Sequence, residues 1–136
     1  MIDQFKHVTI IYNPKSGSPD SFFKWIQLKC GVRTFSESAH RSVENCISHI
    51  RNLLIKHDIN VTIVSTLHSG HGTQLAQQYA PISDLIIAIG GDGTVNEIIN
   101  GIIGSSCLLS IFPFGTTNIL CSQLNLPRKL DSYISF

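Results

Sequence analysis

A doubly wound α/β fold, with a mostly parallel sheet and helices on both faces, is predicted by three observations. Short, apolar, β-branched runs alternate with stretches of helical spacing along the chain. Those runs carry few polar residues, which marks strands buried on both faces. Three of them stop at loops rich in glycine, hydroxyl and amide groups: NPKSG, GGDGT and PFGTTN.

Each element has its own signal. His7–Tyr12 (HVTIIY) is a buried strand that stops at Asn13-Pro14. Ser42–His57 places Val43, Cys46, Ile47, Ile50, Leu53 and Leu54 at i, i+3, i+4, i+7 spacing, an amphipathic helix. Asn60–Ser65 (NVTIVS) is the second strand. Gly70–Tyr79 is a shorter helix with Leu75, Ala76 and Tyr79 inward. Asp84–Ile89 (DLIIAI) is the third strand. Thr94–Ile103 is a helix with Val95, Ile98, Ile99, Ile102 and Ile103 on one face, so Ile98 and Ile99 are expected in the core. Leu108–Phe112 (LLSIF) is the fourth strand, and Thr117–Leu124 begins another helix that Pro127 ends. Ser18–Arg41 is less regular. Its Phe22, Phe23, Trp25, Ile26 and Leu28 can line a helix that packs on the core or on another domain; with Lys24 and Lys29 alongside, a membrane-surface role is the alternative.

Composition narrows the function classes. The chain has 136 residues and 15.0 kDa, enough for one domain with a core of its own. Apolar residues make up 43% and mean hydropathy is +0.17, which excludes a disordered chain. A net charge of +1 gives no electrostatic case for nucleic acid. Charged residues are only 14%, against a norm of roughly 25%. Either both sheet faces are covered, or a second copy or a further domain covers an apolar surface, expected near Ser110–Phe114 and Leu124–Phe136. The longest aliphatic run, Leu85 to Ile89, falls far short of the roughly 20 residues of a membrane span. The N-terminus lacks a signal-peptide layout. Cys30, Cys46, Cys107 and Cys121 form no CxxC pair and read as reduced thiols of a cytoplasmic protein.

The loops carry the chemistry, because ligands of such sheets bind where the strands end. In Gly90-Gly91-Asp92-Gly93-Thr94-Val95-Asn96-Glu97, the glycines allow positive φ and close approach of a ligand. The helix that follows offers unpaired N–H groups and a positive dipole end, a seat for phosphate. Asp92 would repel that phosphate unless it holds a metal, takes a proton or bonds the loop itself, so it points to Mg²⁺ or general-base chemistry. Thr94-x-x-Glu97 also has the form of a capping box, which leaves Glu97 open between capping and a role in the site. The run is neither GxGxxG nor Walker A. Asn13, Pro14, Lys15, Ser16 and Gly17 supply donors, a flexible glycine and one cation for phosphate. In the third loop, Thr116 or Thr117 either caps a helix or meets a ligand. Thr66 closes the second strand, where its hydroxyl can bond a nucleotide or simply start the loop. His71 reads as a helix-start residue rather than a base, and His68 as solvent-facing.

Together, NPKSG, T-x-x-x-GH followed by QLA, GGDGTVNEIING and PFGTTN resemble the catalytic domain of the diacylglycerol kinase-like lipid kinases, which include bacterial lipid kinases and sphingosine kinases. GGDGT alone is shared with NAD kinases; TVNEIING and PFGTTN favour the lipid-kinase branch. The resemblance spans nearly the whole chain except Ser18–Arg41. It implies the N-terminal domain of the NAD kinase and diacylglycerol kinase-like fold, and ATP- and Mg²⁺-dependent phosphorylation of a lipid hydroxyl at the membrane surface by an otherwise cytoplasmic enzyme. It implies that Asn13 to Gly17, Thr66, Gly90 to Asn96 and Thr116 line the nucleotide. It also implies that Asp92 is essential, as base toward the lipid or as organiser of metal and phosphates. One departure is Ile119 after Asn118, where many relatives have Asp. The other is that the family's β-rich C-terminal domain is missing from these residues, so the chain alone is expected to be inactive or nearly so. A stand-alone nucleotide-binding module and a NAD kinase-like enzyme are the alternatives.

Overall fold

The computed structural model describes residues 4–16, 43–113 and 119. Four strands are present among them: β1 (His7–Tyr12), β2 (Asn60–Ser65), β3 (Leu85–Gly90) and β4 (Leu108–Pro113). Three helices accompany them: α1 (Val43–Lys56), α2 (His71–Tyr79) and α3 (Asp92–Ile102). A 3-10 turn, Ala80–Ile82, follows α2. The sheet runs β2-β1-β3-β4 and every neighbouring pair is parallel. The predicted α/β class, with its parallel sheet and helices on both faces, is the fold observed.

The pleat explains the apolar strands. Val8 and Ile10 of β1, with Ile87 and Ile89 of β3, join Phe112 beneath Val43, Ile47, Ile50 and Leu54 of α1. Their neighbours Ile11, Ile86, Ala88 and Ile111 turn to the other face, against Leu75 and Ala76 of α2 and Val95 and Ile98 of α3. Successive side chains of a strand point to opposite faces, so a sheet covered twice needs apolar residues at both. Thr9, fully buried on β1, is the polar exception, and its hydroxyl lies 2.7 Å from that of Ser83. At the end where the strands begin, the Asp84 carboxylate accepts the backbone N–H groups of Lys6 at 2.7 Å and His7 at 2.9 Å. The bonds from His7 and Lys6 hold that carboxyl below its ordinary value.

Several expectations shift. The third helix starts at Asp92, not Thr94, because Gly91 is its N-cap and Val95 N–H already donates to Gly91 O. Thr94 is therefore a residue of the helix, not its cap, and the capping box does not form. The glycines of this loop do not take positive φ: Gly91 sits at φ −80, and Gly70 and Gly104 are the positive-φ glycines among the described residues. Ile98 is fully buried, whereas Ile99 is half-buried at the rim of the core. Around Ser110–Phe114, Ile111 and Phe112 are buried. Exposed apolar side chains include Ile82, Ile103 and Leu108 where the strands begin and Leu67 just past the end of β2. Cys46 and Cys107 are free thiols, and burial pushes Cys46 up to about 12. Gly17, the Ser18–Arg41 stretch, Phe114, Thr116, Thr117, the helix expected from Thr117 to Leu124 and the Leu124–Phe136 tail lie outside the described residues, apart from Ile119.

Candidate active site

The strand order creates one switch point. β1 leads through α1 to β2 on one side, while β3 leads through α3 to β4 on the other. Between their carboxyl ends a crevice must open, and there such sheets hold ligands. The loops that leave β1 and β3 both start there.

Short bonds stitch these two loops together. Asn13 N–H donates to Ile89 O at 3.1 Å, and Ser16 N–H to Asn13 O at 3.1 Å, closing a turn over Pro14 and Lys15. The Asn13 side chain works in both directions. Its Oδ1 accepts the Lys15 N–H at 2.9 Å, and its Nδ2 donates to Thr94 Oγ1 at 3.3 Å. Ser16 Oγ accepts the Gly91 N–H at 3.3 Å. Asn13 and Ser16 thus shape the loop, while Pro14 and Lys15 remain exposed at its tip. Next to it, Thr66 is buried at the end of β2, and its N–H donates to Tyr12 O at 2.8 Å.

The start of α3 faces this crevice. Gly91 has no side chain to fill the donors of the first turn, so the positive helix end is left to other acceptors. Asp92, half-buried, opens the helix, and its Oδ2 accepts the Ile119 N–H at 3.1 Å. Gly90 is glycine because space demands it: a Cβ there would lie 2.8 Å from Thr94 Cβ. Gly93 is exposed, has no positive φ, and a Cβ on it would meet nothing within 4 Å among the described residues. Among the described residues, neither packing nor backbone conformation calls for glycine at position 93. Thr94 and Val95 turn inward, the first to Asn13 and Gly90, the second to the core, and Asn96 is exposed.

Glu97 caps a helix, but not its own. Its Oε1 accepts the Gly70 N–H at 2.8 Å and its Oε2 the Gly72 N–H at 3.0 Å, which closes the N-terminus of α2. Sequence spacing suggested a cap within α3 because the partner is distant in the chain; a clue was available in the small residues of Gly70-His71-Gly72. His71 does begin α2, as expected, and its Nδ1 accepts the Leu67 N–H at 3.0 Å. His68 is exposed and stacks on His71 with ring centroids 4.8 Å apart.

The structure therefore brings Asn13, Ser16, Thr66 and the Gly90–Asn96 stretch to one end of the sheet. Among the described residues no cluster of His, Cys, Asp or Glu is large enough to be a metal cage by itself. Mg²⁺ commonly takes one or two carboxylates and completes its shell with phosphate oxygens and water, so a single carboxylate such as Asp92 at a helix start fits that ion.

A parallel sheet with a glycine-lined helix start and a carboxylate at its switch point is an α/β domain with the usual ligand end of such sheets. The comparisons make this specific: residues 35–135 match the diacylglycerol kinase catalytic domain, and the chain belongs to that family. Diacylglycerol kinase of Bacillus subtilis (strain 168) is 32% identical over 127 residues, which is 91% of this chain and 35% of that protein. Diacylglycerol kinase of Staphylococcus saprophyticus is 42% identical over 64 residues, 46% of this chain and 21% of that one. A crystal structure of a diacylglycerol kinase from Bacillus anthracis str. Sterne superposes with a TM-score of 0.65 at 28% identity, covering 93% of this chain and 39% of that chain. The chain thus spans about a third of the length of these first two relatives or less. The family match begins after the Asn13–Gly17 loop, whose described residues are tied to the α3 start by bonds to Gly91 and Thr94.

Proposed function

We propose that this chain is the nucleotide-binding and catalytic lobe of a lipid kinase that moves the γ-phosphoryl group of ATP, with Mg²⁺, to a lipid hydroxyl. The observation that carries this reading is the start of α3, where the N-cap Gly91 supplies no side-chain cap. A Cβ on Gly93 would meet nothing within 4 Å among the described residues, Asp92 stands beside it, and the NPKS loop is tied across from it. Phosphoryl transfer asks mainly for positioning and charge stabilisation. Backbone N–H groups at the helix start would hold phosphate oxygens. Lys15, exposed at its loop tip, would add a point charge. When bound, Mg²⁺ supplies charge neutralisation at the transferred group. Asp92 would either accept the proton of the lipid hydroxyl or hold the metal against the phosphates.

Recognition of the lipid is assigned to a further domain, in keeping with the greater length of the relatives. The working place is the membrane surface, reached from the cytoplasm; among the described residues no helix is long and apolar enough to cross a membrane.

The test is calorimetry with ATP–Mg²⁺ on the wild type and Asp92→Asn, together with phosphate transfer from radiolabelled ATP to diacylglycerol in mixed micelles. We expect binding by the 136-residue chain and little transfer until a family C-terminal domain is added. Asp92→Asn should lower the restored transfer by about 10²–10⁴-fold. Retained ATP–Mg²⁺ affinity in that variant assigns Asp92 as the base, and lost magnesium dependence assigns it to the metal. Binding without transfer in every combination identifies a nucleotide-binding module. Transfer to NAD instead of lipid identifies a NAD kinase-like enzyme.

A further inference from the structure

Two helix N-termini, those of α2 and α3, point to the ligand end of the sheet, and they are treated differently. At the start of α3 the N-cap Gly91 supplies no side-chain cap. The start of α2 is filled by a carboxylate from α3 itself, Glu97, bonded to the N–H groups of Gly70 and Gly72. The fit is built from several sides. A Cβ on Gly72 would stand 2.8 Å from Glu97 Oε2 and 3.0 Å from Glu97 Cβ, so glycine is needed for the carboxylate to reach the backbone. Gly70 takes the left-handed conformation, φ 82, which aims its N–H at Glu97. The Ser69 hydroxyl reaches Oε1 at 3.5 Å. The loop so held runs directly from Thr66, the buried residue just past the end of β2, whose N–H is bonded to Tyr12 O of β1.

We infer that Glu97 is a positioning residue for nucleotide binding: it clamps the Thr66–Gly72 loop to the same helix whose first turn receives the phosphates. The inference rests on the nucleotide reading above. One rigid element, α3, carries Asp92 and Gly93 at its start and Glu97 further along, so the clamp fixes the distance between the β2 loop and the phosphate seat. A carboxylate shared between two backbone donors makes strong, charge-assisted bonds, and no neutral side chain accepts both in the same way. The clamp also keeps the second positive helix end from competing for an anion.

The experiment compares wild type, Glu97→Ala, Glu97→Gln and Thr73→Val by thermal melting and by calorimetry with ATP–Mg²⁺. Thr73 supplies the other polar tie between the two helices, from its hydroxyl to Glu97 O at 2.9 Å, but does not hold the loop. Glu97→Ala should weaken ATP binding by about tenfold or more. Glu97→Gln, which keeps one acceptor for Gly70, should recover part of that loss. Thr73→Val should lower the melting temperature and leave affinity unchanged, which separates positioning from general stability. Should Glu97→Ala be too unstable to study, Glu97→Gln against Thr73→Val carries the same comparison. Affinity equal to wild type in both Glu97 variants overturns the inference alone. A wild type that binds no ATP overturns the nucleotide reading, and this inference with it.

Discussion

Gly90 and Gly93 sit in the same loop and are glycine for different reasons. Gly90 lies under Thr94, with no room for a methyl group. Alanine there should cost about 1–3 kcal/mol, the usual penalty for overpacking, measurable by urea unfolding. Gly93 has open space around it among the described residues. Gly93→Ala should keep or raise the melting temperature, since alanine favours a helix by up to about 1 kcal/mol, while ATP affinity falls because the methyl group covers the first turn. A variant that melts lower and binds ATP normally would assign Gly93 to the scaffold. Asp84 makes a different prediction. Its folded value is lowered by the bonds from His7 and Lys6 N–H, so its contribution is complete above the ordinary value of 3.8 and is lost as pH falls below it. Acid unfolding followed by circular dichroism should show that loss, and Asp84→Asn should flatten the curve in the same range.

At the scale of elements, α2 and α3 touch through small residues. A Cβ on Gly101 would lie 2.5 Å from both Ala76 Cβ and Thr73 O. Gly101→Ala must therefore push the helices apart, and destabilisation should exceed that of any helix-surface change; thermal melting checks it. Ile98 is fully enclosed between these helices and the sheet, so Ile98→Ala should cost about 2–5 kcal/mol, and half-buried Ile99 less. Strands and helix faces were legible in the sequence because each follows a local period: HVTIIY and NVTIVS stop where β1 and β2 stop. Helix starts were less legible. The α3 start was misplaced because Thr94 and Glu97 imitate a local cap, while their actual partners, Asn13 and the Gly70–Gly72 backbone, lie far away in the chain.

In the whole molecule, sheet order converts separate loops into one site. From sequence, the loops are expected to converge because ligands of such sheets bind where the strands end. The pairing of β1 with β3 brings the first and third loops together. The bonds that hold Asn13 and Ser16 inward could not be read from residue types, since the same groups serve equally well as ligand donors. At the opposite end of the sheet, Asp84 ties β1 to β3, and Ile82, Ile103 and Leu108 are exposed.

The central place of β1 also bears on how the chain is made. β1, which precedes the other described strands in the chain, lies between β2 and β3, and the tie from His7 to Asp84 spans 77 residues. Until β3 has been synthesised, HVTIIY has at most one neighbour and one open edge. Contacts this distant in sequence form late and slow folding. A nascent chain that stops short of Leu85 therefore carries a sticky, half-paired strand. One that has passed Pro113 can close its sheet on both sides of β1. Translation pauses in this gene would be harmful before Leu85 and tolerated after β4.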